Sequence, residues 1–177
     1  MRTFFAIAVA ASLLGCHEAP EAKKSSWAQV QEAIAASPVI LDGDRVRALI
    51  PYESITLERG PCFGSCPVYK VTFNRDGSAD LLTDYLLPDK SVHYSGHIYP
   101  REFARLAQLI HRAQAVSDRS RYFGKWTDDY FARITVKGKD GSWSVEDYGQ
   151  VAPPEVWALE EILHSTRMSM EWEAPSK

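Results

Sequence analysis

Thiols are scarce in this chain. Its 177 residues hold three cysteines, Cys16, Cys62 and Cys66. That excludes a scaffold stapled by many bridges and a site made of four cysteines. Positive charge is not in excess either, with 20 Lys and Arg against 23 Asp and Glu. A nucleic-acid binder ordinarily carries a basic stripe, so no nucleic-acid partner is expected. Long apolar runs are missing too. Residues 4–14 are apolar but too few to cross a bilayer as a helix, and nothing later comes closer. The chain has no internal repeat and no low-complexity tract. Neither Ser-x-x-Lys nor Gly-x-Ser-x-Gly occurs. No catalytic residue is nominated, no cofactor is expected, and the sequence leans towards a non-enzymatic role.

What is present begins at the N-terminus, "MRTFFAIAVAASLLGC". A basic residue followed by a short apolar run is the pattern of a secretory signal. Leu13-Leu14-Gly15-Cys16 resembles the lipobox of bacterial lipoproteins. The resemblance implies a signal peptide at 1–15, cleavage before Cys16, and acylation of that cysteine. The implied location is the cell envelope, with a membrane partner reached through the lipid. His17 in place of aspartate implies the outer membrane.

Residues 16–25 are polar with alanine and proline, and read as a flexible tether. Residues 26–53 hold a short helix, with Ser26 and Gln29 as a capping box, and a connection. The main domain is expected over 54–170, with a frayed tail at 171–177. Alternation predicts strands over 54–59, 68–73, 79–85, 91–98, 130–136 and 142–148. Asp76-Gly77 and the stretches 87–90 and 137–141 supply turns. Pro100 opens a helix with Phe103, Leu106, Ala107, Ile110 and Ala113 on one face. Pro153-Pro154 opens a second, lined by Val156, Leu159, Leu163, Thr166 and Met170. Residues 117–129 read as a polar connection. The fold class is α+β: an antiparallel sheet of about five to six strands with two helices on one face.

The cysteine loop "RGPCFGSCPVY" admits several chemistries. With Cys16 acylated, Cys62 and Cys66 form an even pair in an oxidising compartment, which favours a disulfide. Four extended steps would hold the two Cα atoms about 13 Å apart, so the loop must turn, and Gly64 permits it. A metal reading joins Cys62 and Cys66 to His93 and His97 for zinc. On a strand those two rings would lie roughly 13 Å apart, so chelation needs a kink at Ser95-Gly96. A copper or thiol-redox reading rests on Cys-x3-Cys-Pro, which looks like the motif of Sco-type oxidase assembly proteins. The carboxylates Asp128, Asp129, Glu146 and Asp147 offer an acid/base pair for a cell-wall enzyme, and Trp126 and Trp172 a surface for sugar or peptide.

The string Cys62 to Tyr69, continued by Val71, Phe73 and Asp76-Gly77, resembles a bacterial envelope family of unknown function. Its signature is Cys-Phe-Gly-x-Cys-Pro-x-Tyr. The resemblance covers roughly residues 54–166 and supports reading them as one unit. It implies no activity, cofactor or substrate. The expected function is that of an envelope lipoprotein domain binding an envelope protein or cell-wall component. The alternative is a periplasmic metal-handling or thiol-redox protein.

Overall fold

The structure, a computed structural model, describes Ala28, Gln29, Glu32 and residues 48–175. The signal peptide, the tether and most of the short N-terminal helix lie outside the described residues. So does Cys16.

The order of elements is β1 (Tyr52–Arg59), β2 (Tyr69–Asn74), β3 (Ser78–Thr83), β4 (Val92–His97), α1 (Pro100–Val116), β5 (Arg121–Phe123), β6 (Phe131–Gly138), β7 (Gly141–Tyr148), α2 (Pro154–Ser169) and β8 (Trp172–Glu173). The eight strands among the described residues form one sheet in the order β5-β7-β6-β1-β2-β3-β4-β8. Every pairing is antiparallel except β5 with β7. The class is α+β, with more strands than the sequence led us to expect.

The two further strands are short. β5 lies inside the stretch read as a polar connection, and β8 inside the stretch read as a frayed tail. β5 holds because Tyr122 is buried and its hydroxyl donates to Asp118 Oδ1 (2.8 Å) while accepting the Asp118 N–H (3.1 Å). β8 holds because Trp172 lies over Gly96 of β4 and its Nε1–H donates to the Arg167 carbonyl (2.9 Å).

Alternation fixes which face is covered. Ile55, Leu57, Val71, Phe73, Leu81, Ile134, Val136 and Val145 are buried, and pack with Phe103, Leu106 and Ile110 of α1 and Val156, Leu159 and Leu163 of α2. Burying each such side chain contributes roughly 1.5–3 kcal/mol, which is why a two-layer domain of this size holds. The opposite face carries polar partners: Thr56 with Thr72 (3.0 Å), and Arg133 between Glu58 (3.0 Å) and Glu146. On α1 the sequence stripe is buried as read. On α2, Val156, Leu159 and Leu163 are buried, Thr166 and Met170 are half-buried, and the fourth fully buried position is Glu160. Among the described residues, no helix is long and apolar enough to cross a membrane.

Candidate functional site

Arg59 ends β1 and Tyr69 begins β2, and the two are register neighbours. Each continues the alternation of its strand, Ile55-Leu57-Arg59 and Tyr69-Val71-Phe73, so both turn towards the helices. The loop between them carries the disulfide. Cys62 and Cys66 are bonded, with their Cα atoms 5.6 Å apart. The turn this requires falls at Gly64, whose φ of 142° is closed to most side chains although the space around it is empty. Both cysteines are half-buried at the base of the ring. Phe63, near its tip, is 88% exposed.

Beneath the loop lies a polar network. Arg59 is buried, its side chain 10% exposed; its guanidinium Nη2 donates to Tyr130 Oη (2.7 Å) and Glu161 Oε1 (2.5 Å). It also lies over the Tyr130 ring, 4.3 Å from the centroid. Gln150 Nε2 donates to the same Tyr130 oxygen (2.9 Å). Tyr69 Oη shares a hydrogen bond with His164 Nδ1 (2.7 Å), and the Arg167 guanidinium covers the Tyr69 ring at 4.2 Å. Asp147 accepts the N–H groups of Val151 (3.0 Å) and Ala152 (3.2 Å), which holds the approach to α2.

Burial sets the protonation states. Glu160 is 1% exposed, and its pKa is pushed up to about 9, first by burial and then by the Asp147 charge. Burial also raises Asp147 and lowers His164, the latter helped by Arg59 and Arg167. Burial lifts the Tyr69 hydroxyl to about 12. At neutral pH, Glu160 and His164 are therefore uncharged beside the Arg59–Glu161 pair. Neither the cleft beside Tyr52 nor that beside His97 is lined by these groups. The network clamps α2 to the ends of β1 and β2 and so sets the loop on a rigid base.

The other residues singled out in the sequence are dispersed. His93 Nε2 sits 3.0 Å from Asp80 Oδ1, and His97 meets Tyr99 edge-on at 5.8 Å. The Cys62, Cys66, His93 and His97 set is not brought together, because the thiols bond each other and β3 lies between β2 and β4. Among the described residues, no group of three or more His, Cys, Asp and Glu is placed to hold a metal ion. Glu146 and Asp147 face opposite sides of β7: Glu146 pairs with Arg121 (2.8 Å) and Arg133, whereas Asp147 is buried. Asp129 accepts from Trp126 Nε1 (3.2 Å), and Asp128 holds a φ of 75° in the same loop.

Sequence reading missed Arg59, Glu160, Glu161 and His164. Glu160 had a visible signal, four positions after Val156 on the buried stripe of α2. Arg59 had one in its place on the apolar side of β1.

No curated protein matches the chain. Residues 53–167, which contain the sheet core, the disulfide loop and nearly all of α2, match the model of a domain of unknown function (DUF6438), and the chain belongs to that family.

Proposed function

We propose that this protein is a non-enzymatic interaction domain of a bacterial envelope lipoprotein, tethered through acylated Cys16 and gripping a protein partner with the Phe63 loop. One observation carries the reading: a phenylalanine 88% exposed on a ring closed by Cys62–Cys66. An aromatic side chain held in water on a constrained loop loses little conformational freedom on docking, which is how interface anchors act. The network under the loop supports this, since it fixes the angle at which the ring projects. The lipobox-like Leu13-Leu14-Gly15-Cys16 supports the tether.

The test is site-specific photo-crosslinking in intact cells, with a benzoyl-phenylalanine placed at position 63 and, as control, at the exposed Arg101. The expected result is one discrete protein adduct from position 63, absent from position 101 and lost after Cys62→Ser/Cys66→Ser exchange. Adducts indistinguishable between the two positions would refute the docking role. Mass spectrometry of the purified chain tests the tether separately. A diacyl- or triacyl-cysteine N-terminus at Cys16 is expected, and an unmodified Cys16 refutes it.

A further inference from the structure

A cleft of about 570 Å³ opens at the far end of the sheet from Phe63. Tyr69 stands at the loop end of β2 opposite Thr83, whereas His97 pairs with Ser78 at the other end of β3. The cleft lies where the edge formed by β4 and β8 meets the start of α1 and the end of α2. Its volume falls in the range of small-molecule sites, roughly 300–1,000 Å³.

We propose that this cleft binds an organic ammonium group, the Trp172, Tyr99 and His97 rings facing its carbon substituents and Glu102, Glu171 and Glu173 its charge. The walls are aromatic, and Trp172 is fixed. Trp172 packs on Gly96, where an added Cβ would lie 2.9 Å from the indole, and its Nε1 is held by the Arg167 carbonyl. The Tyr99 ring stands perpendicular to that of His97, and the residue is 67% exposed. Rings held in place and left partly bare attract a cation through their negative faces, most strongly a poorly hydrated one.

Charge decides the sign of the ligand. Among the described residues, three carboxylates line the cleft and no Lys or Arg does. Glu102 answers the positive end of α1, in whose first turn it lies. Glu171 and Glu173 have no ion-pair partner among the described residues. The carbonyl end of α2 adds further negative potential. Arg167, the basic residue of its last turn, is drawn to the Tyr69 ring and does not line the cleft. Among the described residues an anion would meet three carboxylates and only neutral donors such as Ser95 and Ser169, and a neutral apolar ligand would leave carboxylates partly desolvated. A cation with a small carbon skeleton satisfies both walls.

The experiment titrates the full, disulfide-intact chain with choline and, separately, with a blocked lysine dipeptide. Binding is followed by proton–nitrogen NMR at Gly96, His97 and the Trp172 indole. Neutral 1-pentanol and the acetylated lysine dipeptide serve as uncharged counterparts. Saturable shifts from at least one ammonium probe, absent with its neutral counterpart, are expected. Which probe binds tells a free quaternary amine from a lysine side chain. Glu171→Gln/Glu173→Gln should weaken that binding about tenfold, and about 1 M salt should weaken it in the unmodified chain. Both glutamates are exposed, so the variant is expected to fold, and Glu102→Gln provides a second reduction of charge. Equal shifts from charged and neutral probes, no saturable shift, or indifference to both substitutions would overturn the proposal.

Discussion

Replacing Glu160 with glutamine shifts stability in the variant's favour as pH rises, from a net loss or near balance around pH 5 to a net gain above about pH 7. Glu160 is all but sealed from water, faces Arg59 and Asp147 and adjoins Glu161, and one of its oxygens, Oε1, has no hydrogen-bond partner. Its folded pKa of about 9 stands against an ordinary 4.5. Between these two values the folded state holds a proton that the unfolded state has released, so stability falls as pH rises through the window. The contribution is complete below pH 4.5 and lost as pH passes 9. At about 1.4 kcal/mol per unit, the native protein is at a disadvantage of about 3 kcal/mol at pH 7 and about 6 kcal/mol at pH 9. Glutamine has the same shape and no such slope. An unpartnered buried amide costs it about 1–3 kcal/mol, but equally at every pH. Urea unfolding of wild type and Glu160→Gln, read by tryptophan fluorescence at pH 5, 6, 7 and 8, measures the difference. Asp147 and His164 titrate in both proteins and largely cancel in the comparison. Two stability curves running parallel from pH 5 to 8 would refute the reasoning.

Other substitutions follow from the same geometry. Cys62→Ser/Cys66→Ser reopens a ring of five residues and lowers stability by about 2 kcal/mol in urea unfolding, without loss of the far-ultraviolet spectrum. Gly64→Ala costs about 1 kcal/mol or more through backbone strain alone, because its φ is 142° and no atom crowds its missing Cβ; a smaller loss in thermal unfolding would contradict the loop geometry. Leu57→Ala, in the centre of the sheet, costs about 2–5 kcal/mol by the same assay. Arg59→Met removes the partner of Glu161, whose side chain is 39% exposed and can be hydrated, so it costs about 1 kcal/mol in ion-pair energy, and that loss shrinks in the double variant with Glu161→Leu.

The strands of the meander, α1 and α2 were legible because each writes its own period into the chain. Ile55-Leu57 and Tyr69-Val71-Phe73 alternate, Phe103 to Ala113 recur at helical spacing, and Asp76-Gly77 marks the bend between β2 and β3. β5 and β8 left no such mark. Three residues and two residues are too few for a period, and what holds them, the Asp118–Tyr122 hydrogen bonds and the Trp172–Gly96 contact, depends on partners brought close by the rest of the fold. The disulfide was expected from the even pair Cys62 and Cys66, read with the oxidising compartment that the lipobox resemblance implies, and the two are bonded. The clamp beneath it was not, since Arg59 meets Tyr130 and Glu161 across separations of 71 and 102 residues. Such pairings are decided by topology, to which local sequence is blind.

β1 lies between β2, its neighbour in sequence, and β6, which begins only at Phe131. During vectorial synthesis the first four strands can assemble as a local meander while one hydrogen-bonding edge of β1 stays open. Until the β6–β7 hairpin arrives, the row containing Ile55 and Leu57 is a template for any strand that reaches it first, including one from another nascent copy. Chains cut short before Phe131 should therefore aggregate rather than remain as soluble halves.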